Sequence, residues 1–156
     1  MNPVLLEVKN LKKYFPIRRG ILKRVVGNVR SVDDVSFFIR QGETLGLVGE
    51  SGCGKTTTGR TILRAIEPTS GQVFYRKDKD MVELSKVPKR ELKPFRREMQ
   101  IIFQDPYSSL DPRMTVMEIV SEPLRIHGVM DGDELKSRVR DLLEMVGMRV
   151  QHMNRY

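Results

Sequence analysis

Apolar positions follow two rhythms along this chain. Val35, Phe37 and Ile39 alternate with polar neighbours, the period of a strand with one face in a core. After the turn Gln41, Gly42, Glu43, residues 44–48 form a nearly continuous apolar run, which predicts a strand buried on both faces. Residues 5–8 predict a short strand leading into Leu11, Lys12, Lys13, Tyr14 and Phe15; residues 72–75 and 99–104 predict two more. Between the first strands lies a basic insertion, residues 16–30, with apolar pairs Ile21-Leu22 and Val25-Val26; flanked by Gly20 and Gly27, it reads as a ribbon or loop. The helical rhythm predicts a helix over residues 56–66, with Ile62, Leu63 and Ile66 inward, stopped by Glu67, Pro68, Thr69, Ser70 and Gly71. Residues 77–99 are polar and basic, and from Asp105 onward the pattern turns helical. There Asp133 can cap a helix carrying Leu135, Val139, Leu142, Leu143 and Val146 on one face, and Gly147 can stop it.

The 156 residues suit one domain or a large piece of one, and 39% hydrophobic with 31% charged residues permits a core. No apolar stretch approaches the roughly 20 residues of a membrane span. The first fifteen residues carry scattered charges and do not read as a signal peptide. The single cysteine, Cys53, excludes an internal disulfide and suits a reducing compartment. The 28 Lys and Arg against 20 Asp and Glu leave a formal charge of +8. That excess suits nucleic acid, an anionic membrane face or a phosphate-bearing ligand without choosing among them. The basic clusters lack the interleaved aromatic rings of a single-strand platform.

Candidate chemistry concentrates at Gly49, Glu50, Ser51, Gly52, Cys53, Gly54, Lys55 and Thr56, which match Gly-x-x-x-x-Gly-Lys-(Ser/Thr) between an apolar run and a helical segment. The glycines let consecutive N–H groups point at one centre, a nest for anionic oxygens. The helix beginning near Lys55 adds its positive end. Lys55 can reach the β- and γ-phosphates of a nucleotide, and the Thr56 hydroxyl can ligate Mg²⁺; the loop alone does not say which nucleotide. Cys53 reads as a small residue at a variable position of the loop, since no second cysteine accompanies it.

Residues 48–57, with Thr57 closing the segment, resemble the phosphate-loop segment of ABC ATPases. Residues 99–116 resemble the Q-loop segment of one branch, the oligopeptide and dipeptide importers with their nickel and glutathione relatives. Residues 32–37 and 122–127 resemble the same branch, and the insertion after Pro16 resembles the second of its paired ATPases. The resemblance implies an α/β fold: a P-loop NTPase core of the ABC type with an N-terminal antiparallel β subdomain and the start of a helical subdomain. Residues 1–104 would form the core with its β subdomain, and residues 105–156 the Q-loop and the beginning of the helices. Phe15, with Tyr14 as the alternative, would stack on adenine; Gln104 would touch Mg²⁺ or the attacking water. The implied function is ATP hydrolysis driving import of oligopeptides or dipeptides. The implied partners are a second ABC ATPase subunit, in a homo- or heterodimer, two permease subunits and, indirectly, an extracytoplasmic solute-binding protein; no nucleic acid is expected. The implied location is cytoplasmic, on the inner face of the cell membrane.

The family's Ser-Gly-Gly-Gln signature and the apolar strand ending in Asp-Glu do not occur within these residues. The expectation is therefore an incomplete domain, with the signature and the general-base carboxylate beyond Tyr156, and a chain that alone hydrolyses little ATP. His127 and His152 read as surface or packing histidines. Two other readings share the phosphate loop: a soluble ABC ATPase acting on nucleic acid, consistent with the charge, and a small-molecule kinase, for which no acceptor site or lid arginines are recognisable.

Overall fold

The computed structural model describes residues 2–21, 23–103, 110–128 and 131–156. Two compact units emerge, Met1–Gln100 and Ile101–Tyr156. In the first, strands β1 (Val4–Arg19), β2 (Arg24–Arg40), β3 (Ser70–Lys77) and β4 (Asp80–Glu83) form an antiparallel sheet in the order β2-β1-β3-β4. Val35, Phe37 and Ile39 face inward as their alternation predicts, while Phe38 between them is exposed. The insertion is a ribbon: β1 and β2 run on as a two-stranded hairpin to Arg19 and Arg24.

The core gathers Val8 and Leu11 from β1, Val32 from β2, Ile62, Val73 from β3, Leu84, Leu92 and Phe95. Fully burying such a side chain contributes roughly 1.5–3 kcal/mol. Leu84, Leu92 and Phe95 come from the polar stretch that the sequence pattern left without elements. It holds β4, two single-turn helices (Leu84–Lys86 and Lys89–Glu91) and the short helix α2 (Lys93–Glu98). One buried residue per turn amid lysines and arginines has too little periodicity to announce an element.

Three expectations need correction. Residues 44–48 form no strand, and Leu45, Leu47 and Val48 are exposed, Val48 at 93%. A ladder needs a partner, and no described strand lies beside this run. The described part of the other proposed strand, residues 99–103, is likewise irregular, with Ile102 exposed. Helix α1 (Lys55–Ile62) is shorter than expected. Arg64 adopts a left-handed φ of 55°, and the amides of Ala65 and Ile66 both turn back to the Arg60 carbonyl, ending the helix before Ile66. Its buried face is Thr58, Thr61 and Ile62.

The second unit holds α3 (Val116–Ile126), α4 (Gly132–Met145) and a terminal 3-10 turn (Val150–Asn154). Helix α3 opens on a capping box: the Glu118 amide donates to Thr115 Oγ1 (3.3 Å) and the Thr115 amide to Glu118 Oε2 (2.7 Å). Glu118 is held below the usual carboxylate range, first by that Thr115 amide and then by the Thr115 hydroxyl. Helix α4 is capped by Asp131, whose carboxylate accepts from the Gly132 amide at 3.0 Å, so the cap lies two residues ahead of the expected Asp133. Leu135, Val139 and Leu143 are buried as their spacing predicts, whereas Val146, expected in the same stripe, is the C-cap and stays exposed.

Candidate nucleotide site

The candidate site is built on the N-terminus of α1. Gly54 is its N-cap, with φ 101°, a conformation that L side chains rarely adopt. A Cβ on Gly54 would lie 2.0 Å from the Ser31 carbonyl oxygen, so the loop rests directly on the β2 backbone. The sheet register explains why that carbonyl is there. Lys13 pairs with Val32 and Tyr14 with Arg30, so Ser31 is one extra residue on β2, a β-bulge. The phosphate loop thus rests on a bulge of the β1–β2 ribbon.

Lys55 folds back across its own loop. Its ammonium donates to the carbonyls of Gly49 (2.6 Å) and Glu50 (2.7 Å) and makes a weaker contact with Cys53 Sγ at 3.5 Å. Two strong bonds fix the charge over the loop, while the third proton is held only weakly. The amides of Lys55, Thr56 and Thr57 open the helix without intrahelical acceptors, and no side chain caps them. The first turn carries no acidic residue of its own to offset its positive end. The Thr56 side chain is exposed at the same place. Behind it, Thr58 Oγ1 donates to the Gly54 carbonyl (3.0 Å) and Thr61 Oγ1 to the Thr57 carbonyl (2.7 Å), anchoring the helix start from its buried face.

These residues fit a polyphosphate: a left-handed glycine turn, three free amides, a fixed ammonium and an exposed hydroxyl converge on one end of one helix. Gly49, Glu50, Ser51, Gly52 and Cys53 form the rest of the loop. Gly52 is also left-handed at φ 84°, and Cys53 is exposed, its amide donating to the Glu50 carbonyl at 3.3 Å. Among the described residues no cluster of His, Cys, Asp and Glu could hold a metal by itself. A Mg²⁺ at Thr56 would take most of its ligands from phosphate and water, its usual habit.

Phe15 lies on the ribbon that supports the loop. It pairs with Val29, two residues along β2 from Ser31, hence about 7 Å along the strand from the bulge. The residue is 38% exposed, with Lys13 Nζ 4.9 Å from the ring centroid. Tyr14, the alternative, is already engaged. Its hydroxyl donates a hydrogen bond to Asp33 Oδ1, and the Arg30 guanidinium lies 5.5 Å from its ring centroid. The hydrogen bond to Asp33 raises the Tyr14 phenol and lowers the Asp33 carboxyl from their ordinary values. Gln104 lies outside the described residues. His127 closes α3 as its C-cap, and His152 sits in the terminal 3-10 turn. The Ser31 bulge escaped sequence reasoning, because nothing local to Ser31 distinguishes it; only its register with β1 does.

The sequence pattern of the family described as ABC transporter matches residues 32–156. The chain belongs to the ABC transporter family. This ABC chain is 49% identical over its whole length to the oligopeptide transport ATP-binding protein OppF of Bacillus subtilis (strain 168), covering 48% of that protein. It is 46% identical over 97% of its length to the oligopeptide transport ATP-binding protein AppF of the same organism, covering 45% of it. It is also 47% identical over 97% of its length to the glutathione import ATP-binding protein GsiA of Salmonella paratyphi A (strain ATCC 9150 / SARB42), covering 24% of it. The chain therefore spans less than half the length of these curated relatives. Among solved structures it resembles the dimeric post-hydrolysis state of the ATP-binding cassette MJ0796 bound to ADP and Pi. That match has a TM-score of 0.73 and 27% identity, and covers 97% of this chain and 61% of the other. The α/β fold of an ABC cassette, seen in part, follows from that likeness. Among the described residues, no helix is long and apolar enough to cross a membrane.

Proposed function

We propose that this chain is the nucleotide-binding part of an ATP-hydrolysing subunit that energises import of oligopeptides or a related short peptide. The observation that carries the reading is the loop at the start of α1. There Lys55 is held over the loop by the Gly49 and Glu50 carbonyls, beside the unpartnered amides of Lys55, Thr56 and Thr57. In this reading the residues of the loop bind the triphosphate. Lys55 faces the β- and γ-phosphates, Thr56 offers its hydroxyl to Mg²⁺, Gln104 positions the ion or the attacking water, and Phe15 stacks on the base. ATP supplies the phosphoanhydride bond, and Mg²⁺ spreads the charge that develops on its oxygens. The solute class rests on the oligopeptide and glutathione relatives, whose named cargoes are all short peptides. The partners proposed are a second ATPase subunit, two membrane permease subunits that this chain meets from the cytoplasmic side and, through them, an extracytoplasmic solute-binding protein.

Equilibrium binding of labelled ATP tests the site. Lys55→Ala removes a charge-assisted contact of about 1.5–3 kcal/mol, so affinity drops roughly 10- to 150-fold. Phe15→Ala removes a stacking contact of about 1–3 kcal/mol and weakens ATP, while pyrophosphate binding stays unchanged. Wild-type binding by Lys55→Ala would end the proposal. Equal losses for ATP and pyrophosphate in Phe15→Ala would return Phe15 to a purely structural role.

A further inference from the structure

The β1–β2 ribbon has no part in the phosphate site beyond its base. Past Tyr14, whose amide donates to Thr69 Oγ1 at 2.9 Å, β1 pairs with β2 alone. The five steps to Arg19 carry the hairpin roughly 17 Å beyond the sheet. A two-stranded ribbon buries little, and this one leaves large apolar side chains in the open: Ile17, Val25, Val26, Val29 and, at the turn, Ile21, which is 100% exposed. Arg18, Arg19, Lys23 and Arg24 stand among them, all exposed and without an acidic partner among the described residues. No Asp or Glu occurs anywhere between Glu7 and Asp33. The ribbon also precedes residues 32–156, the part the ABC family pattern matches.

We propose that the ribbon tip is a lipid contact that lays Ile21 and Val25 into the interface of an anionic bilayer while Arg18, Arg19, Lys23 and Arg24 meet the headgroups. The combination selects this partner. An acidic protein patch would satisfy the four cations but give no reason for a fully exposed isoleucine between them. A nucleic-acid backbone would likewise meet the four cations and leave Ile21 and Val25 without a role, and a single strand would also ask for stacking rings, which the tip lacks. A lipid interface takes both classes at once: apolar side chains reach the acyl boundary and basic ones extend their charge to phosphate. Each cation near such a surface raises partitioning about five-fold. The inference goes beyond the proposed transport role, in which attachment runs through permeases; here the chain's own residues bind lipid with no permease present.

Vesicle flotation of the purified chain tests it, comparing phosphatidylcholine alone with phosphatidylcholine mixed with phosphatidylglycerol. The chain floats with the mixed vesicles and not with the neutral ones. Arg18→Glu with Arg19→Glu lowers binding on the order of 25-fold or more. Lys89→Glu with Arg90→Glu, the same change in net charge away from the ribbon, lowers it far less. Ile21→Gln with Val25→Gln removes the part of the binding that survives high salt, where exposed charges are screened. A readout on the unaltered protein guards against misfolded variants: mixed vesicles slow tryptic cutting after Arg18, Arg19, Lys23 and Arg24 but not after Arg90. Equal losses in the two charge-reversed pairs would mean diffuse attraction by a basic protein and would overturn the inference. So would unchanged cutting of the ribbon, or binding to polyglutamate as tight as to mixed vesicles.

Discussion

Replacing Gly54 with alanine measures how firmly the phosphate loop is seated on the sheet. A φ of 101° is costly for any residue with a Cβ, about 1–3 kcal/mol. The new Cβ would also stand 2.0 Å from the Ser31 carbonyl oxygen, where real Cβ contacts keep beyond 3.0 Å, so loop and bulge must part by more than a side-chain adjustment. Overpacking of this kind costs about 1–3 kcal/mol more. The two together come to roughly 3 kcal/mol or above. Gly52→Ala isolates the conformational part, since φ is 84° but nothing lies within 4 Å of its Cβ position; it should cost about 1–2 kcal/mol. Gly59→Ala, inside α1 with open space around it, should stabilise by about 0.5–1 kcal/mol. A unit of this size shifts its melting temperature by about 4–8 °C per kcal/mol. Thermal melting should therefore rank the variants Gly59→Ala, wild type, Gly52→Ala, Gly54→Ala, with the last roughly 12 °C or more below wild type. If the loop lifts off the bulge instead of the unit unfolding, the same energy appears as lost ATP affinity, on the order of 100-fold. Gly54→Ala matching Gly52→Ala in both melting and ATP binding would show that the seat on Ser31 does not exist.

Alkylation of Cys53 should block ATP binding and be slowed by ATP, because its sulfur lies 3.5 Å from Lys55 Nζ and a Cβ on Gly49 would meet it at 2.6 Å; mass spectrometry with a binding assay reads both, and normal binding by fully alkylated protein would refute the placement. In the helical unit, Thr115→Ala should cost about 1 kcal/mol by removing the cap of α3, seen as reduced helicity on mild heating. The carboxylate of Glu118 adds an acid-side dependence. Its folded value is depressed, so its contribution is complete above the ordinary glutamate range and fades as pH falls through the folded value. Glu118→Gln should erase that dependence in an acid titration of helicity, while Thr115→Ala trims it, since the larger cause is the Thr115 backbone amide.

The geometry of the candidate loop was legible in the linear chain because such a loop is local. The turn, the amides, the ammonium and the hydroxyl all come from residues 49–57, so their spacing is the geometry. The same holds for the half-buried strand at Val35, Phe37 and Ile39 and for the buried stripe Leu135, Val139, Leu143, whose periods are written along one element. What the chain order could not state is what each segment meets. Residues 44–48 have the composition of an interior strand, yet composition supplies no neighbour, and here those apolar side chains stay exposed. Leu84, Leu92 and Phe95 enter the core from a stretch dominated by charge, because their burial depends on the sheet they cover. Asp131, and not Asp133, caps α4 because the cap belongs to whichever carboxylate the backbone brings to a free amide. The seat of the site was the least legible feature of all. Ser31 is an unremarked serine until the pairing of Lys13 with Val32 and of Tyr14 with Arg30 leaves it over, and only then does its carbonyl oblige residue 54 to be glycine.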